Sequence, residues 1–394
     1  MKYVTRTVWI LSVISLLNDI SSEMLYPVLP LFLQAIGFNA AMMGAMEGLA
    51  EATVGMSKGY FGAMSDARGR RLPFVRLGYF LSGISKPMMA LWSFPAWIFA
   101  ARSADKLGKG IRTASRDAIL SDEATHGTKG RVFGFHRTMD TLGAAVGPSL
   151  ALVLIYFFPG QYRMMFLISV IPVMIGVGLT YLMREREHAP HPERQYTILA
   201  VFTYFRDSTP AFRRLTIGIL LFSLFNSSDL FLLMRIKAAT HNDQYVIGAY
   251  IFYNLVYALA SLPLGAAGDR FGLRSTYIVG LFLFAGVYAL IAMGSSMTIF
   301  ACAFLLYGLY SAATEGISKA LVTSLVPASE TASAIGSLSG LTSLMALAAS
   351  ILTGIMWDQV SATIALLVSA SGALVAAVYL MIVRIEEPRI KTAA

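Results

Sequence analysis

Arg102, Asp105, Lys109, Arg112 and Arg116 recur at steps of three and four residues, so on a helix they fall on one charged stripe. Lys106 and Asp117 lie beside it, and the whole set sits in a stretch from about Pro95 to Leu120, the length a bilayer-crossing helix needs. A charge at the bilayer centre costs roughly 2.5–3.5 kcal/mol even on the lenient insertion scale, so this face turns to protein or water. The chemistry open to it is to pair with carboxylates from other helices, to bind an anion, or to take part in proton exchange.

Carboxylates for such pairing are present. Asp19 and Glu23, four residues apart, share a helical face at mid-span, Glu47 and Glu51 repeat the spacing, and Asp140 follows His136 and Arg137. Lys86 stands beside Pro87. Most of these charges are expected to be satisfied as ion pairs, because an unpaired buried charge is so costly. As a group they exceed what packing requires, since small residues hold membrane helices together without desolvating charge. Part of the set is therefore assigned to a solute or a proton.

The second half of the chain is sparser. It offers Asn226, Ser227, Ser228 and Asp229, then Tyr253, Asn254 and Tyr257, then Tyr307, Tyr310, Thr314, Glu315 and Lys319. Glu315 and Lys319 either pair with each other or leave Glu315 for the solute. The solute-binding candidates are Lys86, Arg102, Lys106, Lys109, Arg112, Asn226, Asp229, Tyr253, Tyr310 and Glu315. The proton-coupling candidates are Asp19, Glu23, Glu51 and Asp140, with Asp19 and Glu23 preferred. Burial favours a neutral carboxyl and a nearby cation favours the charged one, so a carboxylate beside a lysine can exchange a proton for a solute.

The elements that must position these residues are membrane helices. The chain has 394 residues, 56% hydrophobic and only 13% charged, with a mean hydropathy of +0.65, which is too apolar for a soluble protein of this length. Apolar segments of about 18–25 residues recur from end to end, about twelve in all. The first runs from about Val8 to Leu33 with no small-residue cleavage site and reads as a retained helix, bent or broken near Pro27 and Pro30. Arg and Lys concentrate in alternate breaks, at Arg68–Arg76, Lys129–Arg131, Arg184–Arg214, Arg270–Arg274 and after Arg384. By the positive-inside rule those breaks and both termini are cytoplasmic, in a cell inner membrane. The same distribution sets aside a nucleic-acid partner for the net charge of +9.

The chain repeats itself. Gly62, Asp66 and Gly69 in GAMSDARGRR match Gly265, Asp269 and Gly272 in GAAGDRFGLR at one offset of 203 residues, and Gly110-Ile111 matches Gly316-Ile317 at 206. The second offset sets Glu315 opposite Lys109. Two six-helix halves, 1–184 and 212–394, are expected, joined by a cytoplasmic linker over 185–211 in which Tyr196 to Phe205 reads as a short interfacial helix.

Gly62-x-x-x-Asp66-x-x-Gly69-Arg70-Arg71 resembles the cytoplasmic loop signature of the major facilitator superfamily, with its weaker copy at Gly265. The run Gly143-Ala-Ala-Val-Gly147-Pro148 resembles the small-residue motif of span five, often seen in that family's antiporters. Span four departs from the pattern: Arg102 has Gly108 at +6, while Lys106 has Gly110 at +4. The resemblance implies an all-α membrane fold of about twelve helices and transport by alternating access. It names no substrate. Its loop, built on Gly62, Asp66, Gly69 and Arg70, reads as a latch of the outward-facing state, with Asp66 capping a helix N-terminus or pairing with Arg112 or Arg116.

The expectation is a monomeric, proton-coupled secondary transporter of a small polar solute, anionic or metal-chelating, needing no cofactor. The alternative is a proton-coupled multidrug efflux antiporter, which calls for a large aromatic and methionine pocket. A membrane sensor or enzyme on the same scaffold is disfavoured. The sequence has no nucleophile–base pair and no phosphate-binding glycine loop. The five His do not cluster, and Cys302 is alone, so no metal site is expected.

Overall fold

The computed structural model describes residues 4–26, 28–37, 40–125, 127–184, 200–227, 229–240, 243–294 and 296–385. Among them the regular elements are helical. The first part of the chain gives α1 (Arg6–Leu25), α2 (Val28–Ala35), α3 (Ala40–Arg68), α4 (Leu72–Leu91), α5 (Pro95–Glu123), α6 (Lys129–Phe157) and α7 (Tyr162–Thr180). A short α8 (Ala200–Asp207) precedes α9 (Pro210–Ser223), α10 (Leu230–Thr240), α11 (Asp243–Phe271), α12 (Leu273–Met293), α13 (Met297–Ser324), α14 (Thr331–Gln359) and α15 (Ala362–Ile382).

The starts of these helices follow from local chemistry. Thr5, Thr209, Ser296 and Ser361 each turn a side-chain oxygen onto the amide three residues on, at the heads of α1, α9, α13 and α15. Pro95 opens α5 and Pro210 opens α9, where a missing N–H breaks no intrahelical bond.

By length and composition, α1, α6, α7, α12, α13, α14, α15 and most of α11 can each cross a membrane. The helices α3, α4 and α5 are also of spanning length, at 29, 20 and 29 residues. They carry more charge, which their packing accommodates: α5 lies against both α3 and α4. Outward faces are apolar, as on α6, where Val146, Leu150, Leu152 and Val153 are exposed. With no water in the bilayer core, helices satisfy their own backbone, which is why charged and apolar spans alike are helical.

Two spans depart from a simple rod. The first is interrupted at Tyr26, between α1 and α2, in agreement with the proline reading, although Pro27 itself lies outside the described residues. A second break falls where α9 ends at Ser223 and α10 begins at Leu230. Between them runs Asn226, Ser227 and Asp229, residue types that favour turns and caps over helix interiors. The linker helix starts at Ala200, and residues 196–199 of the expected segment lie outside the described ones.

Two compact units result. The first comprises 1–124, 135–201 and 329–340; the second comprises 125–134, 202–328 and 341–394. The opening turns of α6 belong to the second unit and those of α14 to the first, so each of these helices contributes to both. In the first unit, α1 and α4 pack on α7, and Met24, Val28, Phe32, Met89, Ile98 and Phe166 form an apolar core. In the second, α13 packs on α11 and α12, and α15 on α9 and α12.

Candidate solute and proton site

In the first unit the charged stripe of α5 resolves into paired and unpaired members. Lys86, buried on α4, donates from Nζ to Asp105 Oδ1 and to Ser82 O, both at 3.2 Å. Arg102 holds the other oxygen of Asp105 at 3.3 Å. The Arg112 guanidinium donates to Ser82 Oγ at 2.8 Å and lies 4.5 Å from the centre of the Tyr79 ring, a cation–π contact. Lys86, Arg102 and Arg112 are thus engaged with protein. Lys106 is half-buried, within electrostatic reach of Glu23. Lys109 is different: its side chain is exposed, and its ammonium makes no ion pair or hydrogen bond among the described residues. It lies within electrostatic reach of both Asp19 and Glu23.

Beside Lys109 runs a polar chain across three helices. Arg116 Nη1 donates to Ser15 Oγ at 3.1 Å, and Ser15 donates to Asp140 Oδ1 at 2.6 Å. Arg137 pairs with Asp140 Oδ2 at 2.7 Å. Asp140 is also within hydrogen-bond reach of Asp19, which accepts from Asn18 Nδ2 at 3.2 Å. Two carboxyl groups in contact are a place where a proton is held between them.

The glycine motif of span five makes this contact possible. A Cβ at Gly143 would stand 2.7 Å from Leu16 O and 2.9 Å from Asp19 Cβ, and one at Gly147 would stand 2.8 Å from Ile20 O. The two glycines let α6 and α1 approach along the face that carries Asp19 and Glu23.

In the second unit Asp229 sits at the break between α9 and α10. It accepts hydrogen bonds from Tyr253 on α11 at 3.2 Å and from Tyr307 on α13. Tyr288 on α12 bonds Ser227 at 3.3 Å. Around them Phe222, Phe284, Tyr288 and Tyr310 pack ring to ring, with Phe284 stacked on Tyr288 at 4.0 Å. Tyr310 is buried in that cluster, Asn226 lies half-buried at the break, and Glu315 is exposed on α13 within electrostatic reach of Asp229. The side chains of Glu47 and Glu51 lie outside the described residues.

The loop signature folds into a cap. Gly69 has φ 64° and its copy Gly272 has φ 100°, left-handed conformations that glycine adopts without strain. Asp66 Oδ2 accepts from Ser333 N at 2.7 Å, capping the start of α14, and a Cβ at Gly62 would meet Ala332 O at 2.5 Å. The copy does the same for α6: Asp269 accepts from Gly130 N at 2.7 Å and Arg131 N at 2.9 Å. The cation of Asp66 is Arg71, at 3.4 Å, which also pairs with Asp122; it is neither Arg112 nor Arg116, offered above as the alternative to a cap. Those two are drawn away by Ser82 and Tyr79 and by Ser15 and Asp117 respectively. Arg70 is exposed. The cap on a helix N-terminus was one of the two roles read for Asp66 from the sequence, without naming which helix. A signal was available, since Ser333 follows Gly130 at the same offset of 203 residues that separates the two aspartates.

A family model described as the Major Facilitator Superfamily matches residues 11–252 and 236–394. The chain belongs to the major facilitator superfamily. It is 31% identical over 369 residues to an MFS-type transporter from Methanocaldococcus jannaschii, a match covering 90% of this chain and 89% of the relative. Its fold is similar to the human organic anion transporter MFSD10, with a TM-score of 0.80 at 17% identity over 95% of this chain and 99% of that one. It is also similar to a bacterial homologue of the iron transporter ferroportin in an outward-facing state, with a TM-score of 0.75 at 16% identity over 96% and 99%. At these identities the two structures speak to fold alone. This superfamily member is a multi-pass membrane protein with the two-half helical architecture of the family, and a secondary transporter.

Proposed function

We propose that this superfamily member carries a small organic anion, or a metal chelate of negative charge, by alternating access coupled to protons. The observation that carries the reading is Lys109: a cation on a membrane-spanning helix, exposed and unpaired among the described residues, while Lys86, Arg102, Arg112 and Arg116 beside it are held by protein groups. A cation so placed, with Asp19 and Glu23 in electrostatic reach but no ion pair among the described residues, is open to a solute anion. The fold neighbour MFSD10 is an organic anion transporter, which fits the same reading.

Protons enter through Asp19 and Asp140. A solute anion arriving at Lys109 competes with Asp19 and Glu23 for that ammonium, and the contact between the two aspartates stores the proton exchanged for it. The Asp66 and Asp269 caps hold the first turns of α14 and α6, each within its own unit. Multidrug efflux gains no support from the aromatic residues of the second unit, whose Phe222, Phe284, Tyr288 and Tyr310 are buried against one another.

The test is proton movement in proteoliposomes challenged with a panel of small organic acids and iron chelates. The reading expects at least one compound to drive pH-gradient-dependent flux that Asp19→Asn abolishes. Transport of such a compound that is indifferent to an imposed pH gradient would remove proton coupling. Flux driven only by lipophilic cations would remove the anion reading.

A further inference from the structure

Away from the stripe, the first unit holds a cavity of about 440 Å³ between the start of α1 and the end of α7. Arg6, Thr7 and Ile10 form one wall, and Tyr181, Leu182 and Arg184 the other. Among the described residues no acidic side chain lines it. Arg6 and Arg184 are both exposed, and neither makes an ion pair or a hydrogen bond among the described residues. By contrast, Arg71 in this unit pairs with Asp66 and Asp122, Arg102 with Asp105, and Arg137 with Asp140. Two arginines lining a cavity with no acidic side chain among the described residues suit an anion from outside the chain.

The walls add to that charge. The first-turn amides of α1 at Arg6 and Thr7 have no intrahelical acceptor, which makes this end of the helix partially positive. Tyr181 is fixed by Arg76, whose guanidinium lies 4.7 Å from its ring centre while Nη2 donates to Thr180 O at 3.3 Å. The Nε of Arg76 is itself buried with no hydrogen-bond partner, a third donor close to the same wall.

Tyr181 and Leu182 of its wall are more than half exposed, as are Trp9 on the same turns of α1 and Leu77 next to Arg76, and Trp and Tyr collect where a membrane-spanning helix meets the headgroup layer. Arg6, Arg68, Arg70, Arg76 and Arg184 all lie at the basic, cytoplasmic ends of their spans.

We infer that this cavity is a binding site for the phosphodiester headgroup of an anionic phospholipid of the cytoplasmic leaflet, held by Arg6 and Arg184 with its acyl chains along Trp9 and Leu182. A volume near 440 Å³ suits a phosphate–glycerol group, and basic pockets between helices on this side of the membrane are suited to such lipids. A soluble phosphate ester shares the headgroup chemistry but gains nothing from those exposed apolar side chains.

The test is the thermal stability of the purified full chain in neutral detergent, with added phosphatidylglycerol, cardiolipin, phosphatidylcholine or inorganic phosphate. The wild type is expected to be stabilised by the two anionic lipids and not by phosphatidylcholine. R6Q/R184Q should lose at least half of that shift, its apparent lipid affinity falling on the order of tenfold or more. R206Q/R213Q, which removes the same charge from α8 and the first turn of α9, should keep it. Should the double variant not fold, Arg184→Gln alone carries the comparison, since that side chain is exposed and unpaired among the described residues. A full shift retained without Arg184, an equal loss in R206Q/R213Q, or equal stabilisation by inorganic phosphate would each overturn the lipid site.

Discussion

Asp105 shows how the charges of one helix divide into structural and functional members. It holds Lys86 and Arg102 at once, in a region where an unpaired charge is costly. Asp105→Ala should therefore destabilise the protein by about 3–5 kcal/mol, because it strands the buried Lys86 ammonium. The companion variant Lys86→Met/Asp105→Asn should recover much of that loss in a thermal melt. A ranking in which the double variant is the less stable would show that the pair is not what holds these two helices. The existence of the stripe was legible from its spacing, but its division was not. Pairing is decided by Ser82 and Tyr79 on α4 and by Ser15 on α1, neighbours that no local pattern in α5 announces.

Helix contacts carry the next layer of consequence. Gly143→Val places its first side-chain carbon 2.7 Å from Leu16 O, so it should cost about 1–3 kcal/mol by overpacking and also separate Asp19 from Asp140. Gly178→Ala on α7, where a Cβ would meet nothing within 4 Å, should be neutral or stabilising by up to about 1 kcal/mol. Equal melting temperatures for the two variants would contradict the close approach of α1 and α6. For the caps, Asp66→Ala should cost about 0.5–2 kcal/mol and speed hydrogen exchange at the amides of 332–335, while Asp66→Asn, which keeps an acceptor oxygen, should do less of both. Unchanged exchange in Asp66→Ala would rule out the cap. At this scale the loop motif, the glycine run and the interruption near Pro27 could be read from the chain, because glycine and proline act locally. The break before Leu230 was not read, although Asn226, Ser227 and Asp229 are turn-favouring types; in the structure Tyr253 and Tyr307 from two other helices hold Asp229 there.

For the molecule as a whole, length, hydropathy and the internal repeat were enough to give the fold, since a membrane restricts the choice to helices and the repeat gives the halves. Substrate chemistry is another matter, because it depends on which charges remain after the helices have paired the rest. The account rests on Lys109 being such a charge. Its most direct test is a thermal-shift screen of wild type and Lys109→Ala against small organic anions, metal chelates and lipophilic cations. Ligand-free, the two proteins should melt within about 2 °C of each other, since an exposed, unpaired side chain contributes little to stability. The account predicts that at least one anion or chelate stabilises the wild type by mass action and that Lys109→Ala loses this stabilisation. An anion that stabilises both proteins equally, or stabilisation by lipophilic cations alone, would contradict it.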